Sequence, residues 1–238
     1  MRIISKIDIK NNFVIKGINL EGLRKIGDPL EIAAKYYMDG VDEIVLIDSV
    51  ASLYKRNNLF SIVKKATEKI FVPLTLGGGI RSLKDIEYAL NSGADKVSIN
   101  SFATENPKFI KEAVLNFGSS TITINIDAKK ISEDKWEIYK YYGREKTQID
   151  LIDWIKKIQE FGCGEILLTS IDFEGLMSGI DIELIDAVYD KIKVPFIYSG
   201  GVGKFSHYEK LDKKYKNLSI AISSAFHYKK IKLSKLEK

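Results

Sequence analysis

The sequence predicts an α/β fold, a single (β/α)8 TIM barrel, and three observations lead to this prediction. Eight short apolar runs alternate with helix-type segments along the chain. The runs of the first half recur in the second half, so the sequence repeats itself once. The chain has 238 residues, which is enough for one barrel of eight strand–helix units without a disulfide or a metal to stabilise it.

The apolar runs are five to seven residues long and are mostly continuous rather than alternating. Continuous runs are typical of parallel strands that are buried on both faces. The predicted strands are residues 2–8, 43–48, 71–76, 96–100, 121–127, 165–170, 194–199 and 218–223.

Helix starts and stops lie between the predicted strands. A helix often starts at aspartate or asparagine followed by proline, or at serine with an acidic residue three positions later. A glycine after the last helical residue is a typical stop. These patterns predict helices at 30–38 (after Asp28-Pro29), 82–90 (from Ser82 to Asp85) and 108–117 (after Asn106-Pro107), with stops at Gly40, Gly93, Gly118 and Gly162.

Four segments of the first half recur in the second half in the same order. IDI at 7–9, DEIVLIDSVAS at 42–52, LTLGGGI at 74–80 and KVSINSF at 96–102 are followed by IDA at 126–128, GEILLTSIDFEG at 164–175, FIYSGGV at 196–202 and IAISSAF at 220–226. Offsets of 119, 122, 122 and 124 residues predict two (βα)4 half-barrels, about 1–118 and 119–238, in one domain. A doubly wound open sheet is the alternative, but it does not predict a two-half repeat.

One aromatic segment fits neither the strands nor the helices of the repeat. Residues 130–147 follow the fifth predicted strand and carry Trp136, Tyr139, Tyr141 and Tyr142. We predict that they form a hairpin-like excursion.

Composition narrows the class of protein. The 37 lysines and arginines exceed the 32 acidic residues by 5 charges, but the basic residues are mainly lysines on helix-type segments. This favours a solvated surface over a nucleic-acid-binding patch, while a mildly positive field attracts an anionic substrate.

No apolar run approaches a membrane span and no signal-peptide core is present, so we expect a cytoplasmic protein without a membrane partner. One cysteine and two histidines exclude a disulfide framework and argue against a metal site, and we expect no cofactor.

Two aspartates follow apolar runs at equivalent points of the repeat. Asp8 and Asp127 end the first and fifth strands, which lie opposite each other in an eight-stranded barrel. Carboxylates that face each other across one mouth suit a general acid and a general base acting on one substrate. Capping of a turn is the alternative for each, but the symmetric pair favours catalysis.

Glycines and hydroxyl residues follow four of the strands. Residues 77–79 and 200–201 are glycines, while Asn100-Ser101 and Ser223-Ser224 follow the next strands along the chain. Backbone N–H groups that no side chain obstructs can bind phosphate. The usual phosphate site of a barrel follows strands seven and eight, and the repeat places a second after strands three and four. We therefore predict a substrate with a phosphate at each end.

Longer motifs resemble the cyclase subunits of imidazole glycerol phosphate synthase, a phosphate-binding barrel family of histidine biosynthesis. They are GDPLEIA at 27–33, PLTLGGGIRS at 73–82, GADKVSINS at 93–101, GEILLTSID at 164–172, SGGVGK at 199–204 and AFHY at 225–228. GEILLTSID and AFHY favour this family over the sister isomerase of the same pathway. The resemblance implies cyclisation of a bisphosphorylated ribulosyl aminoimidazole carboxamide (PRFAR), with ammonia supplied by a glutaminase partner in a heterodimer.

The resemblance also implies roles for individual residues. Asp8 and Asp127 match the acid/base pair, and Lys16 matches a residue on a flexible first loop that covers the substrate. Residues expected to contact the substrate or its phosphates are Asp48, Gly78, Gly79, Asn100, Ser101, Thr169, Gly200, Gly201, Ser223 and Ser224.

Four charged residues begin strands at the opposite end of the predicted barrel: Arg2, Glu43, Lys96 and Glu165. In the family that the sequence resembles, these positions form a salt-bridged gate for ammonia from a docked glutaminase. The alternative is that charged residues simply begin strands at a solvated end.

The sequence departs from the family pattern at several motifs. Lys6-Ile7-Asp8 stands where the family usually has Cys-Leu-Asp, and residues 173–176 read Phe-Glu-Gly-Leu instead of Arg-Asp-Gly-Thr. A related group, which the Glu174 motif resembles, couples a similar barrel to an amidotransferase that supplies ammonia for amidino-sugar formation in surface-glycan biosynthesis. Its members often lack the first aspartate, which this chain retains at Asp8. This paralogue and a non-catalytic barrel that binds a phosphorylated ligand are the alternative functions.

Overall fold

The computed structural model describes residues 1–54 and 59–232, and eight of its strands form a closed parallel barrel. The first half contains β1 (Ile3–Lys10), β2 (Phe13–Ile18), β3 (Glu21–Gly27), α1 (Pro29–Met38), β4 (Glu43–Asp48), α2 (Ala51–Tyr54), α3 (Phe60–Ala66), β5 (Leu74–Gly77), α4 (Leu83–Asn91), β6 (Lys96–Ile99), α5 (Ser101–Glu105) and α6 (Lys108–Phe117). The second half contains a 3-10 turn (Ser119–Thr121), β7 (Ile122–Ser132), β8 (Lys135–Lys140), β9 (Glu145–Asp150), α7 (Leu151–Glu160), β10 (Glu165–Ser170), α8 (Ile182–Tyr189), β11 (Phe196–Ser199), α9 (Phe205–Lys214), β12 (Leu218–Ile222) and α10 (Ser224–His227).

The barrel strands pair in the order β1, β4, β5, β6, β7, β10, β11 and β12, and β12 pairs with β1 to close the sheet. Every one of these pairings is parallel. The predicted (β/α)8 barrel is therefore confirmed. Four barrel strands come from each half of the chain, so β1 and β7 lie opposite each other.

Most of the apolar core lies between the strands and the surrounding helices. Helix α7 shows the pattern, because it buries Leu151, Trp154, Ile155 and Ile158 at helical spacing against the barrel. A smaller apolar layer fills the barrel interior and consists of Ile4, Val45, Ile47, Leu167, Ile197 and Ala221. None of the helices within the described ranges is long and apolar enough to cross a bilayer.

The predicted helix boundaries are largely observed. The carboxylate of Asp28 accepts hydrogen bonds from the first-turn amides of α1, and Ser82 accepts one from the amide of Asp85 at the start of α4. The four glycines predicted as helix stops all have positive φ and follow α1, α4, α6 and α7: Gly40, Gly93, Gly118 and Gly162.

Two strand boundaries differ from the prediction by three residues or more. The third barrel strand begins at Leu74 rather than at residue 71, and Phe71 is 76% exposed. Pro73 has no N–H to donate to the neighbouring strand, so regular pairing begins only after it. The fifth barrel strand continues past residue 127 to Ser132, where it leaves the barrel as one arm of a hairpin.

Strands β1 and β7 are each followed by an antiparallel hairpin. The predicted excursion at 130–147 is β8 with parts of β7 and β9. The segment around Lys16, which the resemblance implied to be a flexible loop, is instead strand β2, paired with β1 and β3. Both hairpin tips carry two consecutive non-glycine residues of positive φ: Asn19 and Leu20 in the first, Tyr141 and Tyr142 in the second.

Candidate active site

Asp8 and Asp127 lie at the C-terminal ends of β1 and β7 and are both buried. The strand order places them on opposite sides of one barrel mouth, as the sequence predicts. The amide of Asn100, which follows β6, donates to Asp127 Oδ2 at 2.9 Å. The two aspartates therefore share the mouth but have different neighbours.

Two lysines and a glutamate complete a buried charge cluster, which we define as Lys6, Asp8, Lys16, Asp127 and Glu174. Lys6 Nζ is 3.9 Å from Asp8 Oδ1, and Lys16 Nζ is 3.3 Å from Asp8 Oδ2. Lys16 also forms an ion pair with Glu174. Lys6 and Lys16 are each only 1% exposed, so their charges interact with these carboxylates instead of with solvent.

The first hairpin reaches the cluster because its tip binds the turn that carries Glu174. The Asn19 amide N–H donates to the Glu174 carbonyl at 2.8 Å. The Asn19 side chain donates to the carbonyls of Ile171 and Asp172 at 2.8 and 2.9 Å. These bonds place Lys16 of β2 between Asp8 and Glu174.

The cluster has three carboxylates and two ammonium groups, so one carboxylate lacks a counter-charge. Burial raises the pKa of Asp8, but Lys6 and Lys16 outweigh it and hold that pKa below its usual value. Burial raises the pKa of Asp127 to about 6, with the negative charges of Asp8 and Glu174 adding to the effect. A permanent carboxylate thus faces a group that can carry a proton near neutral pH, which is an arrangement suited to acid–base catalysis.

The first predicted phosphate site lies beside Asp127. One pocket is lined by Asp48, Gly78, Gly79, Asn100 and Ser101 together with Asp127. A Cβ atom at Gly78 would lie 2.4 Å from the carbonyl oxygen of Asp48, so only glycine fits there. Asp48 itself accepts a hydrogen bond from the amide of Val50 at 3.0 Å, which gives its carboxylate a turn-capping contact.

The second predicted phosphate site lies across the mouth. A narrow pocket is lined by Gly200, Gly201, Ser223 and Ser224, and Glu174 forms part of its wall. A Cβ atom at Gly201 would lie 1.7 Å from the carbonyl oxygen of Gly179, which again requires glycine. The structure therefore brings each set of predicted phosphate-binding residues together, on opposite sides of the aspartates.

Two further predicted residues, Thr169 and Lys16, do not line either pocket. Thr169 is fully buried and its hydroxyl accepts a hydrogen bond from Lys6 Nζ at 3.4 Å. Lys16 is likewise engaged with Asp8 and Glu174. Lys16 thus belongs to the charge cluster, and Thr169 contacts it through Lys6.

At the opposite end of the barrel, Arg2, Glu43, Lys96 and Glu165 form one connected basal charge ring. Arg2 lies 3.2 Å from Glu43 and 2.6 Å from Glu165, and Lys96 lies 2.7 Å from each glutamate. The hydroxyl of Thr75 donates to Glu43 at 2.8 Å. The charged residues predicted at the starts of these strands are therefore joined by ion pairs across the N-terminal end of the barrel.

Lys6, Glu174 and Tyr142 also lie at this site, although no sequence pattern assigns them a role here. Lys6 is two residues from Asp8 on β1, and period-two alternation places both side chains on the same face of the strand. This spacing alone indicates that Lys6 and Asp8 can lie close together. The approach of Glu174 to Lys16 depends on the folded turn and has no local sequence pattern.

Several buried polar atoms around the mouth have no hydrogen-bond partner among the described residues. They are Asp8 Oδ1, Ser98 Oγ, Asn125 Oδ1 and the Tyr142 hydroxyl. Ser98, Asn125 and Tyr142 line the same pocket as Asp127. Buried polar groups are normally satisfied, and these atoms are placed to accept or donate hydrogen bonds to a water or a polar ligand in the pocket.

We expect Lys6→Met to raise the pKa of Asp127 above about 6, because the positive charge of Lys6 lowers it in the parent. The carboxyl resonance of Asp127 in a 13C NMR pH titration measures this shift. Lys10→Met is the matched control, since it makes the same change on the same strand outside the cluster. An unchanged Asp127 titration in Lys6→Met would show that Lys6 does not act on this carboxyl.

Comparisons with known proteins agree with this geometry. The family model described as "Histidine biosynthesis protein" matches residues 2–232. The chain is 48% identical over 208 residues to imidazole glycerol phosphate synthase subunit HisF of Legionella pneumophila, covering 87% of this chain and 98% of that protein. It is 46% identical to the protein of the same name from Bacillus cereus (strain Q1), covering 95% of this chain and 90% of that one. For the same subunit of Hydrogenobaculum sp. (strain Y04AAS1), the identity is 44%, with 99% and 94% of the two chains covered. Since these matches extend over almost the entire barrel, the chain belongs to the histidine biosynthesis protein family.

Proposed function

We propose that this chain is the cyclase subunit of imidazole glycerol phosphate synthase. It uses ammonia to convert PRFAR to imidazole glycerol phosphate and an aminoimidazole carboxamide ribotide. The observation that carries the proposal is the pair of opposed aspartates with separated pKa values, which lies between two glycine-lined pockets. A bisphosphorylated substrate that spans both pockets would present its central atoms to the aspartates.

The acid–base roles follow from the charge cluster. Ammonia forms a bond to the ribulosyl carbonyl carbon while the carbon–oxygen double bond opens. Asp8, which is held ionised, accepts a proton from the new ammonium nitrogen. Asp127, when protonated, supplies one proton to the oxygen. The oxygen leaves as water after it takes a second proton, the one held by Asp8, and the imine nitrogen then returns a proton to Asp127. Ring closure and release of the carboxamide ribotide complete the reaction.

One observation favours a second candidate function, the supply of ammonia for amidino-sugar formation. Lys6 and Glu174 occupy positions where the family pattern has other residues, and both lie in the buried charge cluster. Buried charges that differ from those of the family pattern are compatible with a different substrate. Retention of Asp8 and Asp127 in one mouth supports cyclisation as the first choice.

We expect the purified chain to convert PRFAR with ammonium salt alone, because the aspartates and both pockets lie on this chain. Alkaline pH raises the fraction of free ammonia, and chromatographic detection of the carboxamide ribotide measures turnover. Folded protein that shows no turnover at high ammonia would reject the cyclase function in favour of the paralogue.

We expect Asp8→Asn and Asp127→Asn each to lower the rate by about 10²–10⁴-fold, because each removes a positioned proton carrier. Binding of PRFAR should change far less, which a kcat and KM comparison measures. Asp95→Asn serves as a control at a carboxylate that binds the Leu74 amide away from the mouth. A variant at Asp8 or Asp127 within a few-fold of the parent removes that residue from the mechanism.

We also propose that a glutaminase subunit docks on the N-terminal face of the barrel to form a heterodimer. This face bears the basal charge ring and an adjoining groove of about 750 Å³, which includes Arg2, Tyr189 and Phe196. Ammonium is a poor nucleophile, so an enclosed route past the ring preserves free ammonia. We place this complex in the cytoplasm, in keeping with the buried free thiol of Cys163.

We expect Lys96→Ala to reduce glutamine-dependent turnover more than turnover with added ammonia, because it opens the ring without touching the aspartates. The measurement is the ratio of the two rates in the reconstituted complex, with partner binding determined separately. Lys84→Ala on α4 is the matched lysine control. Equal losses in both assays would mean that the ring only supports the fold.

A further inference from the structure

The tip of the second hairpin places Tyr142 at the barrel mouth, and the backbone of this tip has positive φ values. Tyr141 and Tyr142 have φ values of 53° and 60°, and Gly143 follows at 74°. Successive residues of positive φ are the geometry of a tight hairpin turn, but glycine, asparagine or aspartate usually fills it rather than tyrosine. Such conformations persist only where surrounding contacts enforce them, and they often occur at functional sites.

Contacts with the first hairpin hold the Tyr142 ring in place. Tyr142 forms a buried apolar cluster with Leu20 and Ile171. A Cβ atom at Gly143 would lie 2.8 Å from Leu20 Cδ1, so the two tips are in close contact. The ring is therefore fixed by packing, and the position of its hydroxyl is fixed with it.

The Tyr142 hydroxyl lies near Asp8 and helps to lower the pKa of that carboxyl, but it forms no hydrogen bond of ordinary length among the described residues. The residue is 8% exposed and lines the same pocket as Asp127. Burial, and then the negative charge of Asp8, raise the pKa of Tyr142 well above its usual value. The group therefore remains a phenol that can donate a hydrogen bond to a molecule in the pocket.

We propose that Tyr142 is a further catalytic residue, whose phenol donates a hydrogen bond to the substrate oxygen on the carbon that ammonia attacks. This inference rests on the proposed cyclase function. As the nitrogen–carbon bond forms, the electron pair of the carbonyl double bond moves to this oxygen. Tyr142 stabilises the developing negative charge and keeps its own proton, while Asp8 accepts the proton that leaves nitrogen.

A purely structural role for Tyr142 makes a different prediction. If the ring only packs against Leu20 and Ile171, then loss of the hydroxyl leaves activity unchanged, because phenylalanine fills the same space. If the hydroxyl contacts the reacting oxygen, then its loss lowers kcat without loosening the tip. Tyr142→Phe separates these roles because it removes one oxygen atom and keeps the ring.

The test compares Tyr142→Phe with Tyr141→Phe in ammonia-dependent turnover of PRFAR. The hydroxyl of Tyr141 donates to Glu105 on the surface, so the control makes the same change one residue away. We expect Tyr142→Phe to lower kcat by about 10²-fold, the typical cost of losing one such donor, with KM within a few-fold. Tyr141→Phe should lower kcat far less, and the melting temperatures of the two variants should be similar to that of the parent.

Leu20→Ala provides a second comparison, because it loosens the packing of the ring and keeps the hydroxyl. It should lower the melting temperature, which Tyr142→Phe should not. A kcat of Tyr142→Phe within threefold of the parent, or a loss explained by its folded fraction, overturns the inference while leaving the cyclase function intact. A folded parent without any turnover rejects the cyclase function and this inference together.

Discussion

Charge balance inside the barrel mouth is the constraint on which the rest of the site depends. Buried charges are tolerated only when they are paired. The two ammonium groups come from β1 and β2, whereas Glu174 comes from the turn after β10. The ion pair between Lys16 and Glu174 forms only when the first hairpin lies on that turn, where Asn19 binds it. Closure of the mouth and the proton affinities of the aspartates are therefore consequences of the same contacts.

The two halves of the barrel share geometry but differ in chemistry. Each half supplies an aspartate at a strand end, a glycine turn and an antiparallel hairpin. Asp8 has two lysines of its own half beside it, whereas Asp127 of the second half accepts a hydrogen bond from the Asn100 amide, which the first half contributes. Equivalent backbone positions thus carry groups of opposite acid–base character, which a symmetric barrel requires if one side is to give a proton and the other to take one.

Local patterns explain how much of this molecule the sequence alone predicts. The barrel, its helix caps and the placement of Asp8 and Asp127 follow from apolar runs and from a repeat that is visible in the chain. The first hairpin does not, because its tip is Asn19-Leu20, without the glycine that usually marks such a turn. The contact of Lys16 with Glu174 joins residues 158 positions apart, and no local periodicity reports it. The positions of the site residues could therefore be predicted from the sequence. The ion pairs and pKa values around them could not, because they depend on contacts that only the fold creates.

The basal charge ring restricts which substitutions the N-terminal face of the barrel can accept. Its two basic and two acidic members each contact both residues of opposite sign, so the ring is neutral as a unit. Replacing one member by a neutral residue leaves a largely buried glutamate or a cation without half of its partners, an intermediate that is less stable than either end state. Substitutions here should therefore occur as compensated pairs drawn from different strands. We expect the four positions to change together, although they are spread over more than two-thirds of the chain.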